Sequence, residues 1–162
     1  MSQAETVGPV EQSVGYVLKE VTTLLRSAMD SALRPLDLTV PQYVTLELLH
    51  QKPGLSNSEL ARRAFVTRQS MNLVLRTLQS RHLVSRPDIA KDGRARPADL
   101  TPAGQHLLSN ASVTVRKIEL QLLSPLAARD QAILLRYLKA CAAALTKGDQ
   151  GTQAPCSDDQ AS

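Results

Sequence analysis

Between Ser56 and Thr67 the chain must start a helix, finish it and start another, a demand that few folds accommodate. Ser56 is followed three residues on by Glu59, the reciprocal pair of a capping box, and Thr67 stands before "RQSMNLVLRTLQSRH" as a second N-cap hydroxyl. The first helix is short, with Leu60, Ala61, Ala64 and Phe65 expected on its buried side. The second, 67–81 with its cap, sets Met71, Val74, Leu75 and Leu78 on one face. His82 falls where helices often close with a left-handed residue, a conformation His tolerates better than most, so capping is preferred to a metal-ligand reading.

The flanking sequence reads as more helix. Val14, Val17, Leu18, Val21, Leu24 and Leu25 open an apolar stripe that runs at three- and four-residue steps to Leu33. Thr39, with Pro41 in the first turn and Gln42 at the reciprocal position, caps a further helix that ends at "KPG". After His82, "LVSRPDI" and "ARPADL" read as two short strands around the polar tip "AKDGR". Pro97 sits awkwardly in the returning strand, where it removes a ladder donor; the strand starts after it or carries a bulge. "TPAG" restarts helix formation, with Thr101 as N-cap and Pro102 at the first helical position. Leu107, Leu108, Ala111, Val115, Ile118 and Leu122 carry that helix to about 123, and a last one covers about 129–147. Residues 1–9 and 148–162 are small and polar and are expected to be disordered.

Composition narrows the class. The aromatics are Tyr16, Tyr43, Phe65 and Tyr137 alone, so a core must be aliphatic, which favours helices over a β-sandwich. No uncharged apolar run approaches the ~18 residues of a membrane span, and "MSQAETVGPVEQ" has no leader character, so a cytoplasmic protein without membrane contact is expected. Cys141, in a helix, and Cys156, in the tail, form neither a disulfide framework nor a metal-ligand spacing; Cys141 is expected as a small core residue. The net charge of +4 is unevenly spread: residues 60–100 hold nine basic and three acidic side chains, leaving the rest of the chain at −2. An excess so localised points to a polyanionic partner.

Two capped helices joined by a tight turn and followed by a basic hairpin make a winged helix-turn-helix, whose second helix enters a DNA major groove. With "LSNSELARRAFVTRQSMNLVLRTLQSRHLVSR", then "DGRA" with its Asp92-x-Arg94 pair, then "DLTPAG", the sequence resembles the MarR family of bacterial winged helix-turn-helix transcription regulators over about residues 10–147. The expected fold is mostly α with a small β-wing: about six helices and a two- to three-stranded hairpin sheet. The DNA-binding domain spans 37–101, with the recognition helix at 67–81 and the wing at 84–100. Residues 10–36 and 102–147 form a helical dimerisation region.

The residues divide by role. Opposite the core face of the recognition helix lie Gln69, Asn72, Leu73, Arg76 and, at its edge, Thr77. Gln or Asn can pair bidentately with adenine and Arg with guanine, while an outward Leu73 can touch a thymine methyl or else pack at a subunit boundary. Thr67, Arg68 and Ser70 stand in the first turn, where hydroxyls and backbone amides hold phosphate. In the wing, Arg94 is placed to reach a minor groove, and Lys91 and Arg96 are assigned to phosphates. Asp92 is read as the brace that holds Arg94 or a nearby arginine, the Asp-x-Arg pair being associated with wing function in MarR-like proteins.

Three apolar stripes at the chain's ends exceed what one small domain can cover, so they are expected to bury against a second copy. A homodimer would read an inverted-repeat operator in half-sites about one turn (~34 Å) apart. The resemblance also implies a pocket at the hinge for a small aromatic or phenolic effector that releases DNA; Tyr16, Tyr43 and His50 are its candidate walls, or else core. The expected function is thus sequence-specific transcriptional regulation, as a repressor. The alternative is a winged helix that binds DNA without sequence preference or binds protein. No nucleophile–base pair, phosphate loop or metal cluster points to an enzyme, and no cofactor is expected.

Overall fold

The computed structural model describes residues 8–85 and 98–148. Lys91, Asp92, Arg94, Arg96 and Pro97 lie outside the described residues, as do 1–7 and 149–162, so the wing tip, Cys156 and most of both expected tails go undescribed. By internal packing the chain falls into two units, Met1–Leu120 and Gln121–Ser162.

The first unit opens with a 3-10 turn, Val10–Gln12, and then α1, Val14–Leu33. A second 3-10 turn, Arg34–Leu36, leads to α2 (Val40–Gln51), α3 (Asn57–Arg63) and α4 (Arg68–Ser80). Two strands follow, β1 (Val84–Ser85) and β2 (Asp99–Leu100), paired antiparallel with Val84 opposite Leu100. Then comes α5, Pro102–Leu123. Local chemistry sets these boundaries. Thr39 accepts the Gln42 N–H at 3.4 Å while the Gln42 side chain accepts the Thr39 N–H at 2.9 Å, a complete capping box. Ser56 and Glu59 repeat it at 3.3 and 2.9 Å. These bonds take up helix-end donors that would otherwise lack partners, each cap contributing roughly 1 kcal/mol.

Three helical segments end by one device. Asp37, Phe65 and His82 have φ of 52°, 55° and 56°, and the N–H after each reaches five residues back: Leu38 to Leu33 at 3.2 Å, Val66 to Ala61 at 3.0 Å, Leu83 to Leu78 at 2.9 Å. His82 thus takes the left-handed closure its position implies. Phe65 corrects the sequence reading. Expected on the buried side of α3, it is 95% exposed, because α3 ends at Arg63 and the left-handed turn carries residue 65 off the helical stripe.

Leu33, Leu46, Leu49, Leu60, Met71, Leu75, Leu78 and Leu108 are fully buried. They gather where α4 packs on α2 and α3, and where α1 packs on α2. Truncating any of these leucines to Ala is expected to cost about 2–5 kcal/mol. The start of α5 is bolted onto this core. Thr101 donates its N–H to the Leu83 carbonyl at 3.1 Å and its hydroxyl to the His82 carbonyl at 2.7 Å, and its oxygen accepts the Gly104 N–H at 3.0 Å. The approach is so close that a Cβ on Gly104 would lie 2.0 Å from the Leu83 carbonyl oxygen, so only glycine fits.

The second unit holds the end of α5 and then α6, Ala128–Gly148. Gln131 turns its side-chain amide back onto the turn, donating to the carbonyls of Leu126 at 3.0 Å and Leu123 at 3.3 Å. Leu134, Leu135, Leu138 and Leu145 are exposed on α6, Leu145 at 79%. On α1, Val14, Tyr16, Val17, Leu18, Val21 and Leu24 are exposed as well, and only Leu33 is fully buried. Cys141, expected in the core, is exposed too, because the apolar stripe of α6 to which it belongs is itself exposed. Among the described residues no helix is long and apolar enough to cross a membrane.

Candidate nucleic-acid interface

The helix α4 divides its residues cleanly. Met71, Leu75 and Leu78 are buried and Val74 packs against the same cluster, so the apolar stripe faces α2 and α3. Gln69, Asn72, Leu73 and Arg76 are exposed on the other side. Leu73 is 67% exposed and points outward, not into the chain. Thr77 departs from this face: it is half-buried, gives its hydroxyl to the Leu73 carbonyl at 3.0 Å, and lines a cleft with Asp30, Arg34, Gln42 and Arg81.

The first turn of α4 presents free hydrogen-bond donors to solvent. Thr67 accepts the Ser70 N–H at 3.1 Å and passes its own proton to the Ser70 Oγ at 2.9 Å. The Ser70 hydroxyl proton is therefore free to donate outward. The N–H groups of Arg68 and Gln69 have no acceptor within the helix, and both residues are exposed. With the positive end of the helix dipole behind them, these donors favour phosphate.

Charge agrees with shape. From residue 60 to residue 85 the sequence holds Arg62, Arg63, Arg68, Arg76 and Arg81 and no carboxylate. Four of these are exposed. Arg81 is spoken for: one guanidinium nitrogen donates to the Asp37 carbonyl and another lies 3.7 Å from the Asp37 carboxylate, fastening the end of α4 to the α1–α2 connection.

Asn57 is a contributor the sequence did not reveal. At the first position of α3, its side-chain amide donates to the Oδ1 of Asn72 at 2.9 Å, while its own Oδ1 is buried without a partner. The bond holds Asn72 in one orientation yet leaves its amide protons and a lone pair for a base edge. Because the two residues are far apart in sequence and meet only when α3 and α4 pack, no local signal could have paired them.

Tyr16, Tyr43 and His50 do not meet in one pocket. Tyr43 is buried against a groove of about 460 Å³ between α2 and α5, lined also by Glu47, Ser112, Arg116 and Glu119. Burial pushes the Tyr43 phenol above its usual range, with a hydrogen bond to Ser112 opposing and the Glu47 and Glu119 carboxylates adding to it, so at neutral pH it is a proton donor. Tyr16 lies on α1 beside Lys19, Glu20, Thr23 and Leu24, and His50 Nδ1 is 3.1 Å from the Gln105 Oε1. Among the described residues no group of three His, Cys, Asp or Glu stands close enough to hold a metal ion.

A model of the MarR family matches residues 38–95. The chain is similar to the HTH-type transcriptional repressor Rv2887 of Mycobacterium tuberculosis, 44% identical over 126 residues that make up 78% of this chain and 91% of the relative. The fold matches the crystal structure of the same MarR family protein in complex with DNA, with a TM-score of 0.66 and 41% identity over 79% of this chain and 96% of that one. It also matches the complex with salicylic acid, with a TM-score of 0.65 and 43% identity over 79% of this chain and 95% of that one.

Proposed function

The chain belongs to the MarR family, and from that premise we propose that it is a homodimeric repressor of transcription that reads an inverted-repeat operator and is released by a small aromatic ligand. One observation carries the DNA-reading part: the exposed face of α4 presents Gln69, Asn72, Leu73 and Arg76 between arginines, with no carboxylate in the segment.

Geometry and charge support the roles on α4, and the sequence alone supports those of the wing. Arg76, Gln69 and Asn72 meet base edges, Leu73 meets a thymine methyl, and the Thr67–Ser70 turn with Arg68 grips a phosphate. Thr77, turned toward the α1–α2 side, supports the helix and does not read bases. Arg94 extends to a minor groove with Asp92 as its brace, and Lys91 and Arg96 neutralise backbone charge. Residues 37–101 then act as the reading domain, and 10–36 with 102–147 as the dimer core, where the exposed stripes of α1 and α6 find cover. A second copy supplies a second α4, and with it the second half-site. The Tyr43 groove offers an aromatic wall and a phenolic donor to an effector, with Arg116 as the cation for a ligand carboxylate against Glu47 and Glu119.

Enrichment from a randomised pool of DNA duplexes by the purified protein tests the reading. A regulator enriches a two-fold symmetric site and discriminates it from scrambled DNA by ~10³ or more at fixed salt. Binding that never enriches a sequence returns the protein to a sequence-blind winged helix. Arg94→Ala weakens binding to the enriched site and lowers the slope of log affinity against log salt by about one, with the dimer intact. Equal isotherms at two salt concentrations would remove the wing from the mechanism.

A further inference from the structure

Phe65 stands out among the exposed apolar side chains because its position costs the fold something and returns nothing within it. It occupies the left-handed site that closes α3, with φ of 55° and the Val66 N–H reaching back to the Ala61 carbonyl at 3.0 Å. Asp37 and His82 hold the same conformation at the other two closures, and both are residue types that tolerate it. Phenylalanine is not, and glycine is the usual occupant. The only Phe of the chain is thus placed where the backbone disfavours it, and its ring, 95% exposed, packs on nothing among the described residues that would offset the strain.

Its surroundings select the partner. Arg62 and Arg63 precede it and Thr67 and Arg68 follow, all exposed, and no carboxylate occurs from residue 60 to residue 85. A polyanion is the complementary surface. Between the phosphates of DNA lie the C–H edges of the deoxyriboses, apolar strips that a ring set among guanidiniums can cover while the guanidiniums take the charges.

We propose that Phe65 is a DNA contact of this protein, its ring packing on the deoxyribose edge of the backbone beside the N-terminus of α4. The inference rests on the DNA-reading function proposed above. The contact is sequence-tolerant. It adds affinity by burying apolar surface, not by releasing counterions, so its share of binding resists salt where that of the arginines does not.

Phe65→Gly separates the ring from the fold, since glycine takes φ of 55° without strain and leaves the closure of α3 intact. The probe is a duplex enriched by the wild-type protein from a randomised pool. The expected result is an unfolding midpoint no lower than wild type and an unchanged oligomeric state. Operator affinity falls about tenfold for each ring removed. The salt slope is unchanged and the heat capacity of binding less negative. Phe65→Leu, which keeps apolar bulk, falls between. If the wild-type protein enriches a site and Phe65→Gly binds it equally well, the ring faces something other than DNA and the inference is overturned while the proposed function stands. A loss accompanied by a shallower salt slope overturns it too, because the ring would then act through the arginines. If the wild-type protein binds no duplex of the pool at all, both readings fail, and if it binds without enriching a site, the same comparison on bulk duplex decides the Phe65 contact alone.

Discussion

Two exposed surfaces of this molecule were written by the same helical periodicity and ask for opposite partners. On α4 the apolar stripe is met inside the chain by α2 and α3, and what remains outside is polar and cationic. On α1 it is the stripe itself that stays outside, with Leu24 64% exposed. A helix is therefore not assigned to core or surface by its pattern alone. What decides is whether the neighbouring elements supply enough apolar area to cover it: α4 is covered by two neighbours, whereas most of the α1 stripe is left exposed.

The largest effect is expected from breaking the apolar side. Leu24→Glu places a charge in the surface assigned to the dimer and should convert the protein to monomer, with operator affinity falling ~100-fold or more as the second half-site is lost. Sedimentation and a binding isotherm on one sample check this; a variant that remains dimeric would show that α1 is not the interface. Next comes the joint between α4 and α5. Gly104→Ala drives a Cβ toward the Leu83 carbonyl and should destabilise the fold by about 2–3 kcal/mol in urea titration.

Breaking the cationic side should leave the dimer whole. Arg76→Ala is expected to lose about 1–3 kcal/mol of preference at particular base pairs, as read from affinities across single-substituted operators. A uniform loss over all of them would reassign Arg76 to phosphate. Asn57→Ala sharpens the same test: by freeing Asn72 it should relax preference at one position by about 0.5–1.5 kcal/mol, and should add little once Asn72 is already Ala.

The smallest effect comes from a helix cap. Hydrogen bonds from the Ser56 backbone and hydroxyl hold the Glu59 carboxyl below the usual carboxylate range. A group whose folded pKa is depressed stabilises the fold above its unfolded pKa and loses that contribution as pH falls through the folded value. Glu59→Gln keeps the capping geometry without a titrating group, so it should flatten the acid limb of stability slightly, as read from urea titrations across pH, and leave the oligomeric state alone.

What could be read from sequence depended on how far the information travels. Ser56 with Glu59, Thr39 with Gln42, Thr67 and Thr101 announced their helices because a cap and its partner lie within one turn. Phe65 misled because helical spacing was carried past Arg63, where the chain had already left the helix. The bond between Asn57 and Asn72 and the need for glycine at 104 were illegible, since each depends on a residue brought in by folding. Tyr43 could be named as a candidate wall, but only the packing of α2 and α5 shows which side chains share its groove and that Tyr16 and His50 do not.

Thr101 has a mechanical consequence. Its backbone and hydroxyl bind two successive carbonyls just past the end of α4 while its oxygen caps α5, so the two helices share a joint with no slack. A tilt at the start of α5 would be carried to the end of α4, like a lever welded to its load.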